Sequence, residues 1–258
     1  MRSAGLIAIA ALSMAGAVLA AEIPQAERRS SYSFMAPDTK AMQDDASANP
    51  GMLWVLDGEP LWNRKTGSAD KSCADCHNDA RVSMKGVAAR YPAFDKTLGR
   101  PVDLEQRINL CRANHQQASP LAYESRVLLA LTAFVAQQSQ GVPIETGSDP
   151  QLAPFIARGR DLFMLRQGQL NLGCTNCHDD NWDKHLAGSA ITQAHPTGYP
   201  IYRLEWQSLG SLQRRLRNCI TGIRAQAYDY GAPELVELEL YLMSRARGMM
   251  METPAVRP

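Results

Sequence analysis

A duplicated motif, Cys-x-x-Cys-His, constrains this chain more than any other feature of its sequence. The first copy comprises Cys73, Cys76 and His77, and the second comprises Cys174, Cys177 and His178. This spacing is typical of c-type haem attachment, in which both sulfurs bind the haem covalently and the adjacent histidine ligates the iron. A dithiol redox pair or half of a zinc site would explain a single copy equally well. Two copies in an exported chain favour haem, because c-type haem is attached in the periplasm, where a free CxxC pair tends to oxidise.

The first 20 residues predict a cleavable secretory signal. Arg2 precedes an apolar stretch from Ala4 to Val18, and the small residue Ala20 stands just before Ala21. An uncleaved anchor is the alternative, but the apolar stretch is too short for a bilayer, and no other segment approaches the ~20 apolar residues that a span needs. We therefore predict a signal peptide at residues 1–20 and a periplasmic protein without a membrane span.

The net charge of the chain is close to neutral. Lysine and arginine number 27, aspartate and glutamate number 26, and removal of the signal with Arg2 leaves equal numbers of each sign. An overall charge of this size gives no indication of binding to nucleic acid or to an anionic membrane. Any charge with a function in this chain must therefore be local.

An internal repeat predicts two haem domains. Residues 104–111 (LEQRINLC) match residues 212–219 (LQRRLRNC) at an offset of 108, close to the offset of 101 between the two haem motifs. Self-similarity at a constant offset is the signature of a duplicated structural unit. We therefore predict a first module over residues 51–148 and a second module over residues 149–258, preceded by an irregular N-terminal extension at residues 21–50.

Each module is expected to be mainly α-helical. A helix leads into the CxxCH motif, a loop-rich middle follows, and a second helix carries an additional cysteine before a closing amphipathic helix. Apolar residues at helical spacing predict the closing helices from Ser125 to Gln138 and from Pro233 to Arg247. This order is typical of cytochrome c, so the predicted fold is a tandem pair of cytochrome c-like haem domains.

Each haem iron needs a second axial ligand besides the histidine of its motif. Ordinary electron-carrying cytochromes c use methionine, but the second module has none between His178 and Met243. In the first module Met84 follows His77 by only seven residues, which is too near to reach across a haem easily. Histidine and cysteine are the remaining candidates.

The additional cysteines, Cys111 and Cys219, are the favoured iron ligands, because only they occupy matching positions in the two repeats. His115 in the first module, and His185 and His195 in the second, are the alternatives. A disulfide between the two cysteines is a further alternative, but it requires their Cα atoms to lie within about 7 Å of each other across the module boundary. The repeat disfavours it, since equivalent positions would each face their own haem.

The two additional cysteines differ in the charge around them. Residues 103–116 around Cys111 sum to zero, and residues 211–224 around Cys219 sum to plus four. The second window contains no acid and four arginines, Arg214, Arg215, Arg217 and Arg224. Arg215 precedes Cys219 by four residues, on the same face of a helix. Such surroundings favour a thiolate and attract a small dianion through charge-assisted hydrogen bonds. A solvated arginine face that docks an acidic redox partner is the alternative.

The export signal, the two CxxCH modules and the segment Arg215-Leu216-Arg217-Asn218-Cys219 together resemble the SoxA family, the di-haem subunits of the SoxAX cytochromes of bacterial thiosulfate oxidation. The resemblance covers nearly the whole chain after the signal. It implies two covalently bound haem c groups, with His77 and Cys111 as iron ligands in the first module and His178 and Cys219 in the second. It also implies that Cys219, as a persulfide, is the active-site ligand and that Arg215 is the catalytic arginine.

The same resemblance implies an enzymatic activity, L-cysteine S-thiosulfotransferase. Thiosulfate is then joined oxidatively to a cysteine of the carrier SoxYZ, and two electrons leave through a SoxX-type mono-haem cytochrome that forms a heterodimer with the chain. Arg214 or Arg217 is expected to help Arg215 hold the sulfonate. The first haem is expected to be mainly structural, because an anionic thiolate ligand lowers the reduction potential of haem iron.

The sequence leaves other functions open. A non-catalytic di-haem electron carrier would use the arginines only to dock its partner. A di-haem peroxidase would need one haem with a releasable histidine ligand, for which His185 or His195 could serve. A binding scaffold without redox chemistry is disfavoured by two covalent haems.

Overall fold

The computed structural model describes residues 23–258, so the predicted signal peptide lies outside the described residues. The N-terminal extension forms two 3₁₀ turns, Gln25–Glu27 and Ser31–Phe34, and one short helix, α1 (Pro37–Asp44). Helix α1 packs against the last strand of the chain, β7 (Ala255–Arg257). The extension therefore lies across the second module's C-terminal segment.

The first module is mainly helical, as predicted. Its helices are α2 (Met52–Asn63), α3 (Ala74–His77), α4 (Ala80–Ser83), α5 (Leu104–Cys111) and α6 (Arg126–Gln137), and its strands are β1 (Ala93–Asp95) and β2 (Arg100–Val102). A π-helical turn, Arg112–Gln116, continues α5 beyond the additional cysteine. Side-chain caps fix the starts of α5 and α6: Asp103 accepts a hydrogen bond from the Gln106 amide, and Ser125 accepts one from the Leu128 amide.

The second module has the same order of elements, except that two short strands stand in place of the helix that follows the CxxCH helix. Its helices are α7 (Ala153–Met164), α8 (Cys174–His178), α9 (Leu212–Gly222) and α10 (Pro233–Arg245), and its strands are β3 (His185–Leu186), β4 (Ser189–Ala190), β5 (Ile201–Arg203), β6 (Ser208–Gly210) and β7. A 3₁₀ turn, Pro150–Leu152, precedes α7. Both predicted closing helices are confirmed as α6 and α10.

Each module is built on a close crossing of its first and last long helices, α2 with α6 and α7 with α10. A glycine lies at each crossing, Gly58 and Gly159, again 101 residues apart. A Cβ atom at Gly58 would overlap the carbonyl oxygen of Ala130, and one at Gly159 would overlap that of Glu237. The absence of a side chain is therefore what lets the two backbones approach.

Each module also contains a two-stranded antiparallel hairpin that the sequence pattern did not predict. Strand β1 pairs with β2, placing Asp95 opposite Arg100, and β5 pairs with β6, placing Arg203 opposite Ser208. The second hairpin is extended by β7, which pairs with β5 in parallel. Strands β1 and β5, and likewise β2 and β6, are 108 residues apart, the offset of the cysteine segments. Each of these hairpins is therefore followed directly by the helix that carries the additional cysteine.

The hydrophobic core of the first module includes residues from the second module. One cluster contains Trp62 and Phe134 of the first module together with Tyr202, Met251 and Val256 from the second module and its C-terminal segment. A second cluster is formed by the second module alone, around its largest fully buried side chain, Phe163. The C-terminal segment therefore completes the core of the first module. Within residues 23–258, none of the helices has the length and apolar character to cross a bilayer.

Candidate functional site

A cavity of about 580 Å³ lies in the first module. Its lining brings together the four residues predicted to hold a haem, Cys73, Cys76, His77 and Cys111. Apolar side chains form much of the remaining wall, including Trp62, Val87, Leu104, Ile108 and Val135. Cofactor sites are largely apolar and have volumes of about 300 to 1,000 Å³. The size, the wall and the sulfur and nitrogen donors of this cavity therefore fit haem c.

The thiols of Cys73 and Cys111, which both line this cavity, have raised pKa values that favour the protonated form. Burial raises the pKa of Cys73, and the nearby sulfur of Cys111 raises it further, although Gln116 opposes this by donating a hydrogen bond to the Cys73 sulfur at 3.7 Å. Burial also raises the pKa of Cys111, against the attraction of Arg107. A covalent bond at Cys73 or a metal at Cys111 would replace a proton that this environment otherwise retains.

Two alternative ligands share the first cavity with His77. The side chain of Met84 is buried and that of His115 lies on the π-helical turn, and both contribute to the lining. The ring of Trp62 packs against His77 with ring centroids 5.7 Å apart. The geometry thus places Cys111, Met84 and His115 around one site, and the choice of Cys111 stays a prediction.

His178 of the second motif is oriented by a main-chain carbonyl. Its Nδ1 lies 2.6 Å from the oxygen of Thr192, so Nδ1 carries the proton and Nε2 keeps its lone pair. Burial lowers the pKa of His178, as do the charges of Arg215 and Arg245, so the ring is neutral. A neutral histidine whose other ring nitrogen donates to a carbonyl is the usual form of a metal-ligating histidine. His178 therefore fits an axial haem ligand.

Helix α9 brings Cys219 to the second motif. Burial raises the pKa of Cys174 to about 12, and the neighbouring sulfur of Cys219 adds to the rise. The pKa of Cys177 is raised by burial and by Cys219 in the same way. Cys219 is thus a neighbour of both thiols of its own motif, as Cys111 is of the first motif. This arrangement fits a second haem between Cys219 and the motif.

The other second-module candidates lie elsewhere. His195 is buried, its Nδ1 lies 2.9 Å from the oxygen of Arg29, and burial lowers its pKa to about 4. His185 is exposed on β3. Met243 belongs to the cluster around Trp62, as expected of a core residue.

The alternative readings of the cysteine motifs gain no support from the geometry. All six cysteines are free, so no disulfide joins Cys111 to Cys219. In the part of the chain that the structure describes, no group of three or more histidine, cysteine or acidic side chains is arranged to hold a metal ion by itself. A zinc site needs about four such protein ligands, whereas a haem iron needs two.

The arginines that precede the two additional cysteines have different partners. In the first module Nη2 of Arg107 binds Oδ2 of Asp95 at 2.6 Å, and Nε donates to the Tyr91 hydroxyl at 3.2 Å. Arg215 is the equivalent residue of the second module, and within residues 23–258 no carboxylate or other side-chain acceptor binds its guanidinium. Cys219, Tyr199 and the more weakly acting Glu205 raise the pKa of Arg215 against the effect of burial. Arg215 is therefore a cation available to a ligand beside Cys219.

The two arginines expected to assist Arg215 turn to other sides of α9. The guanidinium of Arg214 stacks over Trp206 at 4.3 Å and lies 3.7 Å from a carboxylate oxygen of Glu124. That of Arg217 stacks over Tyr230 at 4.5 Å. Successive helical residues are rotated by ~100°, so only the residue four before Cys219 shares its face.

The sequence reasoning did not identify Arg203, the residue that stands where the first module has Asp95. Arg203 ends strand β5 as Asp95 ends β1, and both strands are preceded by a Tyr-Pro pair, Tyr91 and Tyr199 being 108 residues apart. Extending the repeat alignment upstream to this pair would have revealed the exchange of an acid for an arginine.

The chain is similar to known proteins over both modules. A family model described as SoxA/TsdA, cytochrome c domain, matches residues 57–144 and 158–251. The L-cysteine S-thiosulfotransferase subunit SoxA of Pseudaminobacter salicylatoxidans is 39% identical over 235 residues, covering 91% of this chain and 82% of the relative. The subunit of the same name from Rhodovulum sulfidophilum is 35% identical, covering 90% and 80%. A crystal structure of SoxXA from P. pantotrophus matches with a TM-score of 0.86 at 29% identity, covering 90% of this chain and 87% of that chain. The predicted tandem of cytochrome c domains is confirmed.

Proposed function

This chain belongs to the SoxA/TsdA cytochrome c family, and we propose that it is the haem-bearing subunit of a periplasmic L-cysteine S-thiosulfotransferase. Its reaction joins thiosulfate to a cysteine of a SoxYZ-type carrier and passes two electrons to a SoxX-type cytochrome. Family membership supports the reaction class. One structural observation supports the site: Arg215 beside Cys219 has no carboxylate partner among the described residues, whereas its counterpart Arg107 is neutralised by Asp95.

We assign one haem c to each module. Cys73 and Cys76 hold the first haem covalently, with His77 and Cys111 as iron ligands. In the second module Cys174 and Cys177 form the covalent bonds, with His178 and Cys219 as iron ligands. When bound, haem c supplies reversible one-electron oxidation and reduction. The protein contributes the apolar wall, the orientation of the histidines and the charge around the sulfurs.

The reaction forms one sulfur–sulfur bond and is an oxidation. Cys219, as a thiolate or a persulfide, bonds to the sulfane sulfur of thiosulfate, and two electrons are lost in this step. The carrier thiol then loses its proton, and its sulfur attacks the same sulfane sulfur. Cys219 leaves in its original form, and the carrier keeps a cysteine S-thiosulfonate. The sulfur of Cys219 is thus a covalent catalyst.

Arg215 holds the negative end of the substrate in this scheme. Its planar guanidinium can donate two parallel hydrogen bonds to sulfonate oxygens, a contact that a lysine cannot reproduce. Because Arg215 precedes Cys219 by one helical turn of α9, a sulfonate bound to it places the attached sulfane sulfur toward Cys219. The same charge stabilises the anion during transfer.

The partners follow from the relatives. The solved SoxXA structure that the chain resembles supports a heterodimer with a SoxX-type mono-haem cytochrome. The SoxYZ-type carrier and thiosulfate follow from the activity named for the relatives. We further propose that residues 1–20 direct the chain to the periplasm and that residues 51–148 and 149–258 are its two haem domains.

The test begins with the intact mass of the native complex, purified without reductant from a thiosulfate-grown host, followed by peptide mapping. Two haems and one additional sulfur on the Cys219 peptide support the assignment. The complex is then mixed with thiosulfate, the carrier and an oxidised cytochrome c, and the carrier's mass is followed. A carrier S-thiosulfonate that forms in step with cytochrome reduction supports the function. A bare Cys219 with no carrier product would replace it with the non-catalytic electron carrier.

A further inference from the structure

Asp95 of the first repeat is exchanged for Arg203 in the second, which reverses the charge at the end of the hairpin's first strand. Both residues end the first strand of a hairpin, and both hairpins lead into the helix that carries the additional cysteine. In the first module the side chain at this strand position reaches the arginine four residues before the cysteine, since Asp95 binds Arg107 at 2.6 Å. The same two positions in the second module hold two arginines, Arg203 and Arg215.

Two guanidinium groups that lie near each other in a partly buried site repel unless an anion offsets their charges. Burial lowers the pKa of Arg203, and the positive charge of Arg215 lowers it further, with Glu205, Tyr199 and Cys219 acting in the opposite direction. These five residues therefore share one neighbourhood, beside the motif that contains His178. The second module thus has two arginines and one acid, Glu205, where the first has a single arginine paired with an acid.

Arg203 is held rigidly by contacts that leave part of its guanidinium available. Its Nε donates to the main-chain oxygen of Pro258 at 2.8 Å, and Nη2 binds Oε2 of Glu205 at 2.8 Å. Its planar face stacks over Trp206 at 5.2 Å, and Trp206 packs on Gly210 of β6. No hydrogen-bond acceptor among residues 23–258 binds Nη1. A fixed, 9% exposed side chain with a free donor is suited to recognition rather than to solvation.

We propose that Arg203 is a second substrate-binding residue of the second module, and that it and Arg215 hold the sulfonate of thiosulfate between them. This inference rests on the function proposed above. It assigns to Arg203, on strand β5, the assisting role that the sequence had suggested for Arg214 or Arg217 on helix α9. It also predicts that the first module does not bind such an anion, because Asp95 occupies the corresponding place and binds Arg107.

The test uses the holo-complex with its partner cytochrome and two variants, Arg203→Gln and Arg203→Asp. The KM for thiosulfate and kcat are measured with the carrier, and the Kd for sulfate, a dianion that cannot react, is measured by calorimetry. Arg203→Gln is expected to raise KM and Kd about tenfold or more, the effect of losing one charge-assisted contact. Arg203→Asp is expected to have the larger effect, because its carboxylate would bind Arg215 as Asp95 binds Arg107. Arg81→Gln on α4, an exposed arginine of the first module, is the control for net charge.

The variant Glu205→Gln distinguishes the proposed binding role of Arg203 from a purely structural one. It removes an acid that competes with the sulfonate for the guanidinium of Arg203. The proposal expects this variant to lower KM and Kd, whereas a rise similar to that of Arg203→Gln would overturn it. Haem content and thermal unfolding report whether the variants fold, and Arg203→Lys, which keeps the charge, is expected to give an intermediate rise in Kd.

Unchanged KM and Kd in Arg203→Gln and Arg203→Asp, in a complex that turns over normally, overturn the role of Arg203 and leave the proposed function standing. If the wild-type complex binds sulfate but has no transferase activity, and these variants lose the sulfate binding, the anion site is supported and the proposed function is overturned instead.

Discussion

Gln213 of the second module donates a hydrogen bond of 2.7 Å from Nε2 to Oδ2 of Asp103 in the first module. The bond joins the first turn of α9 to the residue that caps α5, so the two cysteine helices are tied together at their N-terminal ends. Gln213 occupies the position of Glu105 in the repeat. One module thus places an amide at this buried position, and the other places an acid.

Replacing Glu105 with glutamine should stabilise the protein at alkaline pH. Burial raises the pKa of Glu105 from 4.5 to about 8, and Asp103 adds to the rise. At a pH between these two pKa values, Glu105 holds a proton in the folded chain and has released it in the unfolded chain. The free energy of unfolding therefore falls as pH rises through this range. Glu105→Gln removes this loss. We expect the difference in unfolding free energy between the variant and the wild type to rise by about 1 to 3 kcal/mol, in favour of the variant, from pH 5 to pH 8.

Denaturant unfolding of the holo-protein at several pH values measures this effect. Glu234→Gln, in the first turn of α10, serves as the control and should follow the wild-type pH dependence. A Glu105→Gln curve that also runs parallel to the wild-type curve would contradict the prediction.

Replacing Arg215 with lysine should reduce turnover while haem binding stays intact. Lysine keeps the charge but loses the two-pronged contact to a sulfonate, and removal of one preorganised donor typically costs about 10²-fold to 10³-fold in rate. Steady-state kcat with thiosulfate and the carrier measures the loss, and the haem absorbance reports assembly. Arg81→Lys on α4 is the matched control. Wild-type turnover in Arg215→Lys would remove Arg215 from the mechanism.

Adding a methyl group at the helix crossings should destabilise both modules. The Cβ of Gly58→Ala would overlap the carbonyl oxygen of Ala130, and that of Gly159→Ala would overlap the carbonyl oxygen of Glu237. Because backbone atoms cannot yield as a flexible side chain does, we expect each to cost about 2 kcal/mol or more in unfolding free energy. Gly222→Ala, at the end of α9 where a Cβ meets no atom within 4 Å, is the control. A loss no greater than in this control would show that the helices can separate without cost.

The first haem should be reduced at a lower potential than the haem of an ordinary electron carrier. The proposed ligand Cys111 is anionic when bound to iron, and an anionic ligand stabilises the ferric state. Arg107 offsets this charge only in part, because Asp95 binds its guanidinium. A potentiometric titration of the holo-complex, followed by absorbance, measures both haems. Reduction of the first haem in the range of histidine–methionine cytochromes would favour Met84 as its ligand.

Much of the fold was predictable because the relevant signals are local. The CxxCH spacing, the apolar period of α6 and α10, and the repeat around Cys111 and Cys219 each involve residues that are close in sequence. The two hairpins were missed because each strand has only three residues, too few for an alternating pattern to be visible.

The arginine chemistry of the site could be predicted only in part. Arg107 and Arg215 both precede a cysteine by four residues, so the motif alone cannot separate the two modules. The two modules differ at the residue 12 positions before this arginine, which is Asp95 in the first and Arg203 in the second. Asp95 reaches Arg107 on the helix only after the hairpin forms. Arg214 contributes the same charge as Arg215 to the segment around Cys219, so the sequence does not distinguish the two. The structure does, because the guanidinium of Arg214 stacks on Trp206.

The placement of strand β7 limits how this chain can be divided. Val256 lies in the same cluster as Trp62 and Phe134, although nearly the entire second module separates them in sequence. A fragment that ends at the predicted boundary near residue 148 would leave that face of the first module open. The first module thereby depends on the second for its core, and splitting the polypeptide would call for complementation of the first half by the C-terminal strand.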